Sequence, residues 1–196
     1  MHGLRERKKA DTHEAIRAAA AVLFLTHGYD GTTMEAVADA ARVSVRTVFR
    51  YFPTKEALFF GGPEADLGDL RELLDARPAD EPVMQSLREV VEVFVARIED
   101  GEELDRRLAP LLRDVPALRQ HYLGVLDHAE ATVADWARTR LGVGPSDLRP
   151  GLLAACVVSI QRVVVDAIIE GDQRPVADVV REAVDLLAKG FDQLER

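Results

Sequence analysis

The chain has 196 residues, a formal net charge of −9, and 47% hydrophobic but only 6% aromatic residues. That length holds one sizeable core or two modest ones, and the apolar share excludes a disordered chain. A single cysteine, Cys156, excludes an intrachain disulfide, and no run reaches about 18 uncharged apolar residues, so no transmembrane span is expected. The charged N-terminus lacks the apolar core of a signal peptide, which makes a reducing cytoplasm the expected setting. Cys156 lies in an apolar run, where a buried structural thiol is expected. Strand signals are weak because the β-branched runs fall inside helical periodicity, and an all-α fold of about nine helices is expected.

From Leu4 to Lys9 the chain carries four basic residues and one acid. Residues 1–9 read as a flexible basic arm suited to following phosphates, or equally as an idle tail. A first helix is expected over 11–27, with Ile16, Ala19, Ala20, Leu23 and Phe24 at three- and four-residue spacing, and Gly28 ends it. Thr32 and Thr33 are equally good caps for a second helix over 33–40, with Glu35 placed to reach back. Ala41-Arg42-Val43 forms a break without the glycine common in such turns. Ser44 is the next cap candidate. The third helix, 45–51, turns Val48 and Phe52 inward and leaves Val45, Arg46, Thr47 and Arg50 outward. Pro53 ends it, because the residue before a proline avoids helix.

Two short helices with a tight break form a helix-turn-helix, which places its second helix in a DNA groove. Arg46 suits paired hydrogen bonds to guanine, worth about 1–3 kcal/mol of discrimination. Val45 suits a thymine methyl group. Thr47, Tyr51 and Lys55 suit phosphate oxygens, which position without reading sequence. From Arg42 to Lys55 there are four basic residues and no acid, a positive island in an acidic chain.

A fourth helix starts near Thr54. Gly61-Gly62-Pro63 then interrupts it, as a hinge or as a plain loop. Helix resumes over 64–76, and 78–82 is a linker. Further helices are expected over 83–99, 102–113, 116–141, 150–170 and 175–194. Within them Phe94, Arg97, His121, Tyr122, Trp136, Gln161 and Arg162 offer apolar walls with a few polar groups, as a small-molecule pocket requires. Phe94 and Trp136 read more readily as plain core, and Gln161 and Arg162 read equally as a register device between subunits. His121 and His128 are seven apart, whereas helical metal pairs use three or four, so no metal site is expected. No cofactor is expected either, and no catalytic constellation stands out, so an enzyme is not expected. The helix over 150–170 is apolar nearly all round and needs burial on more than one side. Ala154, Val158, Val165 and Ile169 on it, with Val180, Leu187 and Phe191 on the last helix, are expected to pair with a second copy as an isologous four-helix bundle. A larger monomeric core is the alternative.

The chain resembles the TetR/AcrR family of transcriptional regulators. The matching segments are Arg17 to Phe24 with His27-Gly28-Tyr29, Thr32-Thr33, Val37-Ala38, and Phe49 to Leu58. The resemblance implies an N-terminal three-helix DNA-binding domain over 1–58 and an effector-binding and dimerisation domain over 59–196. It implies DNA contacts at Thr33, Arg42, Ser44, Val45, Arg46, Thr47, Tyr51 and Lys55. It also implies a homodimer on a palindromic operator, a repressor's role, and release by a small-molecule effector. Two alternatives remain at this point: a helical protein sequestering an apolar ligand, and a helical enzyme using His121 and His128.

Overall fold

The computed structural model describes the backbone of residues 2–61, 68–99 and 102–189 and the side chains of 7–61, 69–94 and 107–187. The described residues form helices without a strand: α1 (His2–Gly31), α2 (Met34–Ala40), α3 (Val45–Tyr51), α4 (Lys55–Phe60), α5 (Gly68–Asp75), α6 (Val83–Glu99), α7 (Glu102–Asp114), α8 (Pro116–Leu141), α9 (Arg149–Glu170) and α10 (Val176–Lys189). The expected all-α class holds, with ten helices rather than nine among the described residues. The extra one follows from Gly61, which adopts φ 92° and caps α4 in the left-handed region. Gly62 and Pro63, the rest of the expected interruption, lie outside the described residues.

α1 begins at His2, so the basic segment is helical rather than a loose arm. The helix breaks at Gly28, φ 73°, where the sequence ends it. Its apolar spacing gathers Ile16, Ala20 and Phe24 on one face, and these bury against Val37, Val48 and Phe52. Ile16, Val37, Val48 and Phe52 are all 0% exposed. The same cluster takes in Leu108 of α7 and Leu118 of α8, with Leu111, Leu112 and Val115 packed beside them. The corner between α7 and α8 is therefore a wedge set into the core that α1, α2 and α3 form.

A second core joins α5, α6, α8 and α9 through Leu70, Leu74, Leu87, Leu126, Val133 and Ala154. Trp136 belongs to it. The indole is buried, and its Nε1 donates to the Leu74 carbonyl at 3.1 Å. The linker expected at 78–82 is pinned to α8: Arg140 donates to the carbonyls of Pro78 and Glu81. Arg77 and Ser86 both donate to the Glu81 carboxylate, which holds that group down at about 2. A third core joins α9 to α10 through Val164, Val176, Val179 and Val180.

Three residues expected at a dimer interface are consumed inside the chain. Ala154 is 0% exposed, and Val158 and Val180 are also buried. A helical wheel separates two apolar strips on α9 but does not say which one meets α8. The small Ala154 permits close helix approach, and that strip faces inward. Val165, Ile169 and Leu187 are half-buried, and Phe191 lies outside the described residues. The strip left open holds Leu152 (63% exposed), Cys156 and Val163 (56% exposed). Cys156 is thus exposed in this chain rather than buried. α9 is long and apolar enough to cross a membrane by composition, with mean hydropathy 2.1 over its best window, yet only 17% of that window is buried.

Candidate nucleic-acid interface

The helix-turn-helix is assembled by three side-chain caps. Thr33 caps α2, accepting from the Ala36 amide at 3.1 Å. Thr32 is instead buried, and its hydroxyl donates to the Gly28 carbonyl at 2.8 Å. Ser44 caps α3 by accepting from the Thr47 amide at 3.1 Å, and the two hydroxyls lie 2.7 Å apart. Thr54 caps α4 through the Ala57 amide at 3.0 Å. Each cap satisfies a donor that the first turn leaves orphaned. The break is closed by Arg42, which takes φ 57° where a glycine would relax.

With Val48 and Phe52 fully buried, helical geometry fixes the opposite face of α3. Arg46 and Arg50, four residues apart, point to solvent together. Phe49 beside them is 47% exposed. Val45 and Thr47 are half-buried at the edges, and Thr33, Arg42 and Ser44 are exposed. The Arg50 guanidinium lies 5.1 Å from the Tyr51 ring centroid. Tyr51 is half-buried, with His13 of α1 in edge contact at 6.1 Å. His13 also lies 4.7 Å from the Phe52 ring. α1 therefore passes directly over the C-terminal end of α3.

Lys55 makes intrachain contacts that the sequence did not disclose. Its ammonium donates to the carbonyls of Tyr29 (2.9 Å) and Thr32 (3.1 Å) and lies 4.1 Å from the Tyr29 ring centroid. An ammonium has three N–H donors, so one remains for a phosphate oxygen. The Tyr29 hydroxyl donates to Glu56 Oε1 at 2.7 Å. That hydrogen bond holds the Glu56 carboxyl below its ordinary range, while burial and the same carboxylate push the Tyr29 phenol up. Tyr29, Lys55 and Glu56 thus lock the loop ahead of α2 to the first turn of α4.

The residues expected around an effector divide. His121 and Tyr122 face α4, with ring centroids 5.0 and 6.4 Å from Phe60. Tyr122 donates to the Gln161 carbonyl at 3.5 Å, and burial raises its phenol. Those three come together. Phe94 packs half-buried on the second core, Arg162 is exposed, and the Arg97 side chain lies outside the described residues. Trp136 is buried in the second core. A groove of about 600 Å³ shares His121 with the expected set and lies between Thr54 and Glu56 at the start of α4 and Gln120, His121, Gly124 and His128 along one face of α8. Among the described residues, no group of three potential metal ligands occurs.

Residues 16–61 match the description "Bacterial regulatory proteins, tetR family", and residues 81–192 match "MftR C-terminal domain". The chain belongs to the TetR family. TetR-family relatives agree along most of its length. The transcriptional regulator TcmR of Streptomyces glaucescens is 32% identical over 169 residues, covering 83% of this chain and 75% of that protein. The transcriptional regulator RutR of Escherichia coli is 27% identical over 149 residues, covering 70% and 67%. The fold is that of FadR of Thermus thermophilus, a TetR-family repressor solved with lauroyl-CoA: TM-score 0.58, 23% identity, 91% of this chain and 94% of that one. These TetR-family relatives are transcriptional regulators.

Proposed function

We propose that the chain is a ligand-responsive repressor that grips a palindromic operator as a homodimer and lets go when a small molecule binds. The division of labour follows at about residue 58, with residues 1–58 reading DNA and 59–196 binding effector and partner. The observation that carries the reading is the exposed pair Arg46 and Arg50 on a doubly anchored, capped helix. Arg46 reads a base edge. Thr33, Arg42, Ser44, Thr47, Tyr51 and the remaining Lys55 donor hold phosphates, and Val45 touches the groove floor.

Two-fold pairing through the open strip of α9 supplies the second head, and two heads meet successive major-groove faces about 34–36 Å apart. The strip Leu152, Cys156 and Val163 takes the place of Ala154, Val158 and Val180 in that interface. The effector reaches the head through contacts already in place: the α7–α8 wedge and the Phe60–His121 stack. An effector that prefers a conformer with different head spacing weakens operator binding by its differential affinity for the two states. FadR's lauroyl-CoA makes an acyl thioester one class of effector to screen.

The test selects duplexes from a randomised pool with the full chain and then measures Arg46→Ala on the winner and on single-base variants. Loss of preference at one base position, worth about 1–3 kcal/mol, is expected. A pool that yields no preferred duplex overturns the reading.

A further inference from the structure

The head-facing stripe of α1 does not stop where the head stops. His13 and Ile16 pack on the head, and Lys9 lies one turn earlier than His13 on the same side of the helix. Arg7, Lys8 and Lys9 are all exposed. The helix is regular here, since the Thr12 hydroxyl donates to the Lys8 carbonyl at 2.8 Å. Because His13 touches Tyr51 and Phe52, these basic turns overhang the C-terminal end of α3, beside Arg50. From His13 back to Arg7 the overhang measures about 9 Å at the helical rise. An apolar stripe that turns basic past the edge of its own core is not built to pack on this chain.

The charge of the rest of the molecule narrows the partner. Residues 1–58 hold nine Lys and Arg against seven Asp and Glu, whereas residues 59–196 hold sixteen against twenty-seven. The body is thus net −11 and the head net +2, so a polyanion is drawn to the head rather than to the body. Duplex DNA presents one charge per about 1.7 Å of axis, so an overhang of this length runs beside several phosphates.

We propose that Arg7, Lys8 and Lys9 form a rigid helical outrigger that contacts the DNA backbone outside the base pairs read by α3. This rests on the DNA-binding reading and extends it to a second, sequence-blind contact. The outrigger adds affinity and length of footprint and no base preference. It is helical before DNA arrives, so little ordering entropy opposes the contact.

The test compares the full chain with its Arg7→Gln, Lys8→Gln, Lys9→Gln triple variant on the duplex selected by the parent chain and on a mixed-sequence duplex. Each phosphate contact contributes about 0.9 to the slope of log affinity against log salt, so the triple variant should lose about 2–3 from that slope per protomer. Its base preferences should match the parent's. Trimming the flanks of the duplex should weaken the parent and leave the variant unaffected. A variant with the parent's slope and footprint overturns the outrigger while leaving base reading by α3 intact. A parent chain that prefers no duplex overturns both. The substitutions fall on exposed positions, and a circular dichroism melt matching the parent's shows that folding is not the cause.

Discussion

The reading head and α9 both carry broad apolar faces, and the chain treats them differently. The head's face is closed from within: α1, α2 and α3 bury Phe24, Val37, Val48 and Phe52, and the α7–α8 corner fills the remaining side with Leu108 and Leu118. α9 buries Ala154, Val158 and Val164 and leaves Leu152 and Val163 in solvent. One region is closed within its own chain, and the other keeps an apolar strip in solvent. The polar surfaces divide in the opposite sense. The head concentrates positive charge at the outward face of α3, while α9 offers little charge on its open strip.

The largest expected effect comes from breaking the closed face. Phe52→Ala removes a fully buried ring and should cost about 3–5 kcal/mol, read as a fall in the denaturant midpoint. Operator binding should fall with it, because Phe52 seats α3. A variant with the parent's midpoint would show that the head tolerates a cavity and that its closure contributes little. Next comes the open face. Leu152→Asp with Val163→Asp should convert a dimer to monomers in sedimentation velocity while each subunit stays helical. Each apolar side chain so uncovered forgoes about 2 kcal/mol of burial at the interface. A parent chain that sediments as a monomer would remove the contrast altogether.

A smaller effect tests the lock behind the head. Tyr29→Phe deletes the donor to Glu56 and should cost about 1 kcal/mol. The Glu56 carboxyl, now held below its ordinary range, should move up toward it in an NMR titration. The sign follows from linkage. A carboxylate held low stabilises the fold above the unfolded group's pKa, and that contribution fades as pH falls through the folded value. Parent and variant stabilities should therefore converge in acid. The smallest effect sharpens the turn. Arg42→Gly relieves a left-handed residue and should gain about 0.5–1 kcal/mol of stability. If Arg42 also holds a phosphate, operator affinity should fall while stability rises, and the two readouts separate strain from contact.

The head was legible in the sequence because its signals are local. Caps lie three residues from the amides they bond, and Val48 and Phe52 share one helical face by spacing alone. The lock of Tyr29, Lys55 and Glu56 was not legible. It joins residues 26 and 27 apart, and no periodicity reports that meeting. The choice between Thr32 and Thr33 was open for the same reason, since only the loop's path shows that Thr32 turns inward. On α9 the spacing gives apolar residues on two strips, and only the packing of α8 decides that the one holding Ala154 and Val158 is inside. Trp136 reads as core more readily than as a pocket wall, and the partner its buried N–H finds is a carbonyl 62 residues away.

That indole has a practical consequence. It is the only tryptophan in the chain, it sits in the second core, and two of the three tyrosines, Tyr29 and Tyr51, sit in the head. Emission excited at the red edge reports the body and leaves the head dark. A head that melts first would show in circular dichroism before any change in fluorescence, so the two signals time the two regions without a label.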